Sequence, residues 1–371
     1  MKRLGVYVTY DCENIIDDYI GYMLQELRKV VDCLAVVCNY KEIKRGIQNI
    51  NVYADRIYYR DNTGFDAGAY KDALCCCIGW SEVSAYEEVV LLNDSFYGPF
   101  YPMEDLFIKM DKISADYWGL TKSPAGTWMG KYTYDSHIQS YFLVFRKNVL
   151  DDRRFRNFWE SMPYPESFSL AVRVFELECS KLLNECGWRG TALSELGQYK
   201  YHIKVNENPY MLYSYELVRY AEIPVLKRKS LDMRFPGFGN ALKAFQYIED
   251  QGIYNVQLIK EHMLRIGQPL HEKAELDFFK LDEFYDSHAR IFLYGAGILG
   301  KNLAEYFNYR GWSFECFLVT DSGSLEDRCI VFEEADIAED DGIILAVGTK
   351  EAYVEIMDIV KKRCDIKQIF P

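Results

Sequence analysis

The feature that most constrains this chain is the way its apolar runs stop. LGVYVTY (Leu4 to Tyr10), CLAVVC (Cys33 to Cys38), RIYY (Arg56 to Tyr59) and EVVLL (Glu88 to Leu92) are short and rich in β-branched and aromatic residues. Each runs into polar groups: Tyr10 and Asp11, Asn39, Arg60-Asp61-Asn62, and Asn93-Asp94. Between the first two runs, Tyr19, Met23, Leu27 and Val30 recur at helical spacing, and a second helix is expected from Tyr70 to Cys77. Strands alternating with helices predict an α/β fold around a parallel, doubly wound sheet, whose functional groups gather at the strand carboxyl ends. Four strands therefore deliver polar side chains to one rim, with RIYY expected as a third buried strand.

The rhythm continues with ADYWGLT and YFLVFRKNVL as further strands. FRNFWESMPYP reads as a helix closed by Pro163 and Pro165, and SLAVRVFELECSKLLNECGW as a helix stopped at Gly187. After the Gly- and Pro-containing KRKSLDMRFPGFGN comes a helical stretch from Ala241 to Ile266. Residues 1–266 are expected to form one domain with a helical tail, 267–289 an acidic linker, and 290–371 a small Rossmann-like βαβ domain.

Composition narrows the partners. A net charge of −13, with Asp336, Glu339, Asp340 and Asp341 crowded together, repels polyanions, so no nucleic-acid partner is expected. No apolar run approaches the ~18 residues a membrane span requires, and the start offers no signal peptide. A cytoplasmic protein is expected, at most peripheral to a membrane, with Arg153, Arg154 and Arg156 or Lys227 to Lys229 as the basic clusters that could touch anionic lipid. The 11 cysteines contain no CxxC pair, and Cys75, Cys76 and Cys77 are consecutive, so reduced thiols acting as small hydrophobes are the simplest reading.

Three stretches could carry chemistry. In RDNTGFDAGAYKDAL, Gly64 and Gly68 would let backbone amides approach a ligand, Asp66 stands at a helix start, and Arg60 and Lys71 bring positive charge; the alternative is a Gly-containing turn capped by Asp66. In VVLLNDSFYGPFYP, Asp94 beside Asn93 could hold Mg²⁺ or Mn²⁺ against a diphosphate, or the two residues could cap the following turn. GAGILG, with Gly295, Gly297 and Gly300 after a strand and Asp321 ending the next, matches a dinucleotide fingerprint, read either as a nucleotide site or as a structural βαβ module. Glu176 is a candidate general base, and His137 a candidate contact to phosphate or acceptor.

YDCENIIDDYIGYMLQEL, RDNTGFDAGAYKDAL, VVLLNDSFYGPFYP, WGLTKS, HIQSYFLVFRKNVL and FWESMP, in that order, resemble the rhamnan synthesis F protein family of bacterial polysaccharide rhamnosyltransferases. The resemblance extends over about residues 1 to 265, including IPVLKRKSL. It implies an A-type glycosyltransferase domain using a nucleoside-diphosphate sugar such as dTDP-L-rhamnose. On that template Tyr10 and Asp11 resemble base and ribose contacts, Asn62, Asp66 and their neighbours the nucleotide-binding turn, Asn93-Asp94 the metal-binding Asp-x-Asp motif, and Glu176 the base. NDS departs from that motif by carrying a single acid.

The expected activity is inverting transfer of L-rhamnose or a similar deoxysugar to a hydroxyl of a surface polysaccharide or lipid-linked glycan. Mg²⁺ or Mn²⁺ is the expected cofactor and NAD(P) is not. The alternatives are a nucleotide-linked oxidoreductase or epimerase working through the GAGILG unit, which would bind NAD(P), and a non-catalytic scaffold subunit.

Overall fold

The computed structural model describes residues 1–128, 132–195, 209–232, 237–267, 278–321, 328–347 and 350–370. By their contacts these fall into two compact units, the first holding Met1–Tyr210, Glu216–Lys227 and Gly252–Leu258, the second Met211–Tyr215, Arg228–Gln251 and Ile259–Pro371.

The strands of the first unit are β1 (Arg3–Thr9), β2 (Cys33–Cys38), β3 (Arg56–Tyr59), β4 (Glu88–Asn93), β5 (Phe96–Tyr97), β6 (Tyr117–Ser123), β7 (Gly126–Trp128), β8 (Tyr132–Tyr134), β9 (His137–Ile138), β10 (Phe142–Arg146), β11 (Gly190–Glu195) and β12 (Leu226–Lys227). The large sheet runs β11-β6-β10-β4-β1-β2-β3, with β9 on β6. β3, β2, β1 and β4 are mutually parallel, as is β11 with β6, so the sheet is mostly parallel as the apolar runs predict. Every residue of β1, β2 and β4 is buried, the pattern of strands covered on both faces. β3 differs from expectation: it is the sheet's edge and stays partly exposed.

β10 also differs, because it lies antiparallel between β4 and β6. A parallel return from β6 needs a crossover helix. The chain between them instead folds into the antiparallel β7–β8 pair and the short β9.

A buried charge cluster locks the amino-terminal edge of this sheet. Glu88, fully buried at the start of β4, accepts from Arg3 Nε at 2.6 Å and from Arg146 Nε at 3.0 Å, and Arg3 also reaches Asp111 at 2.7 Å. Aromatic rings fill the core beside it, with Phe107 edge-on to Trp118 at 5.1 Å and Phe155 near Phe145 at 4.8 Å. The helix Arg153–Ser161 is capped by Asp152, whose carboxylate accepts from Arg154 N, and ends before Pro163 as expected. The helix from Phe168 to Glu185 is interrupted by a π-helical stretch over Val172–Leu177, which contains Glu176.

The second unit carries β13 (Ile291–Tyr294), β14 (Phe317–Val319), β15 (Cys329–Val331), β16 (Gly342–Leu345) and β17 (Ile369–Phe370), all parallel, in the order β15-β14-β13-β16-β17. Helices Ile298–Arg310 and Lys350–Val360 follow β13 and β16. The helical stretch expected from Ala241 to Ile266 is made of two helices, Phe238–Gln251 and Gln257–Arg265, and the first belongs to this unit. Part of the expected linker, 268–277, lies outside the described residues, and its remainder includes a helix over Phe278–Asp286.

Candidate functional site at the carboxyl rim of the parallel strands

Because β3, β2, β1 and β4 are adjacent and parallel, with Cys38 opposite Tyr59, Thr9 opposite Cys38 and Val8 opposite Asn93, their carboxyl ends share one edge. The polar residues that follow the four runs are thereby brought together.

The two central strands are tied at their tips. Asp94 Oδ2 accepts from the Thr9 hydroxyl and from Tyr10 N, each at 3.0 Å, and Asp94 N donates to Val8 O. Asn93, buried, donates through Nδ2 to Asp66 Oδ2 at 2.7 Å and accepts at Oδ1 from Ser95 N at 3.1 Å. Tyr10 is 44% exposed at the end of β1. Asp11 is buried, and its Oδ1 accepts from Glu13 N and Ile15 N, so it shapes its own loop.

Asp66 opens the helix Phe65–Asp72, where its Oδ1 also accepts from Ala67 N at 2.9 Å. Desolvation is the largest influence on its carboxyl and raises it above the usual carboxylate range, against the opposing pull of Asn93, Ala67 N and Lys227. Glu176 lies close enough to push it further up.

Several neighbours singled out in the sequence are committed to the scaffold. Arg60 donates to Asn39 Oδ1, Thr63 O and Asp72 Oδ2 at 2.6, 2.6 and 2.7 Å, cross-linking the ends of β2 and β3 to the helix. Lys71 donates to the carbonyls of Glu160 and Met162 at the end of the helix Arg153–Ser161, and lies over the Tyr164 ring. Asn62 is half-buried. The glycines serve packing: a Cβ on Gly68 would stand 2.3 Å from Thr63 O, and Gly64, at φ 77°, is closed in by Tyr164 and Pro165. The expectation that these glycines open the backbone to a ligand is therefore replaced by close contact within the fold.

Glu176 and His137 form one buried unit. His137 Nε2 is 3.1 Å from Glu176 Oε1, and Nδ1 is 3.2 Å from Asp135 O. Glu176 Oε2 accepts from Ser140 N at 2.8 Å and Ser140 Oγ at 2.6 Å. Burial alone would raise the Glu176 carboxyl, but His137 and the two Ser140 donors outweigh it and hold the acid below its ordinary value.

One group the motif reading did not place at the site is Lys227, which it set in a surface basic cluster. β12 pairs with β5 with Lys227 opposite Phe96, which carries the ammonium to Ser95 Oγ at 3.1 Å and to 4.1 Å from the centre of the Tyr141 ring. Tyr141 is in turn hydrogen-bonded to Thr121, whose hydroxyl donates to Gln139 Oε1 at 2.8 Å.

Asp94 Oδ2 faces a hydroxyl and an amide N–H, Asn93 Oδ1 faces the Ser95 N–H, and the Asn93 amide nitrogen faces Asp66. Among the described residues no group of three or more His, Cys, Asp or Glu is arranged to hold a metal.

In the second unit the GAGILG turn follows β13 as expected. Gly295 (φ 117°) and Gly300 are required by the turn itself, since a Cβ on the first would lie 2.5 Å from Ala346 O and on the second 1.8 Å from Gly295 O. Gly297 faces open space, and Asp321 follows β14 and is exposed. Among the described residues no helix is long and apolar enough to cross a membrane.

A model of the family described as rhamnan synthesis protein F matches residues 34–292. A protein of Sinorhizobium fredii (strain NBRC 101917 / NGR234), described as uncharacterized protein y4gN, is 25% identical over 179 residues, covering 48% of this chain and 45% of that protein, so the chain matches less than half of its relative's length. A crystal structure of 4-diphosphocytidyl-2C-methyl-D-erythritol synthase overlaps 51% of this chain and 87% of its own at 11% identity and TM-score 0.33. The synthase of the same name from Anaerococcus prevotii overlaps 56% and 94% at 14% identity and TM-score 0.32.

Proposed function

The chain belongs to the rhamnan synthesis protein F family, and from that membership and the rim geometry we propose a glycosyltransferase that moves L-rhamnose, or a similar deoxysugar, from a nucleoside-diphosphate sugar to a hydroxyl of a surface polysaccharide or lipid-linked glycan. The family carries the reaction class. The observation that supports the site is the meeting, at one sheet edge, of Asp66, Asn93 and Ser95 with Lys227 brought in from far along the chain.

In this reading exposed Tyr10 stacks on the nucleobase, and the diphosphate lies over the Asn93–Ser95 turn. The acceptor oxygen attacks the anomeric carbon as the bond from that carbon to the diphosphate oxygen breaks, its electron pair leaving with the nucleoside diphosphate. Inversion follows from attack opposite the leaving group. The acceptor proton needs a base, and the carboxyls of Asp66 and Glu176 differ. Asp66 is shifted towards greater proton affinity, whereas Glu176 is shifted the other way and already accepts from three donors. Asp66 is thus the stronger base, and Glu176 with His137 braces the wall beside it.

Purified protein supplied with dTDP-, UDP- and GDP-sugars should hydrolyse or transfer at least one of them. Failure with every donor by a folded protein would refute the transferase reading and favour a scaffold subunit.

A further inference from the structure

We propose that Tyr70 is a positioning residue for the transfer step, its buried hydroxyl held in reserve for the Asp66 carboxyl as the acceptor's proton arrives there. The inference rests on the transferase reading and deepens it.

The helix Phe65–Asp72 begins just past the end of β3, at the rim, and buries Ala67, Ala69 and Tyr70. Residues four apart share a helix face, and a long side chain leans back over the turn that precedes it. Tyr70 stands four residues after Asp66, so its ring rises towards the rim beneath that carboxyl. Burial is the largest influence on the phenol, and the charges of Asp66 and then Asp94 add to it. Together they push the group well above its ordinary value and keep the hydroxyl protonated.

The side chain is fully buried, and among the described residues its hydroxyl has no hydrogen-bond partner. The ring is held in place, tilted against Phe175 at 5.7 Å, and Phe175 is backed in turn by Trp159 at 5.2 Å. A buried hydroxyl left in this way costs stability, so a phenylalanine of the same shape would serve the fold better.

The Asp66 carboxyl has capacity for a further partner. Oδ1 accepts from Ala67 N and Oδ2 from Asn93 Nδ2, while a carboxylate offers about four lone pairs. In the transfer the acceptor oxygen bonds to the anomeric carbon, the diphosphate leaves with the electron pair of the old bond, and the acceptor's proton passes to Asp66. A hydroxyl can donate to a carboxylate or accept from a carboxylic acid, so Tyr70 can meet Asp66 on either side of that proton transfer. A hydrogen bond formed only as the reaction proceeds lowers the barrier, whereas one present throughout does not.

The test compares wild type, Tyr70→Phe, Asp66→Asn and the double variant in urea unfolding and in hydrolysis of dTDP-, UDP- and GDP-sugars, where water is the acceptor. Tyr70→Phe should unfold at the wild-type midpoint or above it. It should keep the donor KM within about twofold and lose at least about tenfold in kcat. Added to Asp66→Asn, it should cost less than about twofold more, because Tyr70 acts through that carboxyl. A lower midpoint would show that the hydroxyl is already paired in the resting fold and would overturn the inference. Unchanged kcat, a loss carried by KM, or losses that multiply in the double variant would overturn it as well. Each of these results leaves the transferase standing, whereas a folded wild type that turns over none of the donors refutes both.

Discussion

Replacing His137 with Gln should remove a stabilisation that is itself bell-shaped in pH. The His137 and Glu176 side chains are 5% and 15% exposed, and both imidazole nitrogens face acceptors, so the imidazolium is the form that satisfies them. Burial, the largest influence on His137, lowers its proton affinity, yet Glu176 and the Asp135 carbonyl raise it on balance. The histidine's contribution is therefore complete below about pH 6.5, its unfolded value, and is lost as pH rises through the higher folded value. Glu176 is shifted down, so its contribution is complete above about pH 4.3 and is lost as pH falls through its folded value. The pair works fully only between these limits. Removing one partner of a buried pair costs about 3–5 kcal/mol, and because Ser140 still donates twice to Glu176, the loss should sit near the lower figure. Urea unfolding of wild type and His137→Gln at about pH 4, 5.5 and 8.5 measures it, with the largest gap expected at the middle value. A gap of equal size at all three, or a His137 NMR titration at or below the ordinary imidazole range, would refute the ion-pair account.

Asp66→Asn should lower transfer by at least about 10² and remove the acidic limb of the kcat/KM pH profile, while Glu176→Gln should act mainly on the unfolding midpoint; the reverse pattern would restore Glu176 as the base. Gly68→Ala forces a Cβ to 2.3 Å from Thr63 O and should cost about 1–3 kcal/mol in thermal unfolding. Glu88→Gln leaves Arg3 and Arg146 without their shared buried anion and should cost about 3–5 kcal/mol, read as a lower urea midpoint.

The parallel half of the first sheet was legible because a strand buried on both faces is a local signal: CLAVVC and VVLL declare themselves without their neighbours. The rim was legible for the same reason, since parallel strands put their ends together once their direction is known. The antiparallel seat of β10 was hidden, because its partners β4 and β6 are chosen by a connection whose strands are short and only partly apolar. Residue roles were harder still. Arg60 and Lys71 carry the right charge for a phosphate, but the Arg60 guanidinium is set by packing against Asp72, and the Lys71 ammonium by the end of a helix some 90 residues away. Lys227 erred in the opposite direction. In KRK it has the look of a solvated surface cluster, and only a two-residue pairing with β5, which directly follows Ser95 and so brings Lys227 to a residue 132 positions earlier, turns it inward.

The Glu88 cluster has a further consequence for the rim at the other end of the same strands. A slip of β4 by two residues, the smallest that keeps each side chain on its own face, would carry Asn93 about 7 Å along the sheet and away from Asp66. The same slip would strand Glu88 among apolar neighbours, parted from Arg3 on one side and Arg146 on the other. The buried anion thus acts as an indexing pin: charge matching at one edge of the sheet sets where Asn93 meets Asp66 at the other.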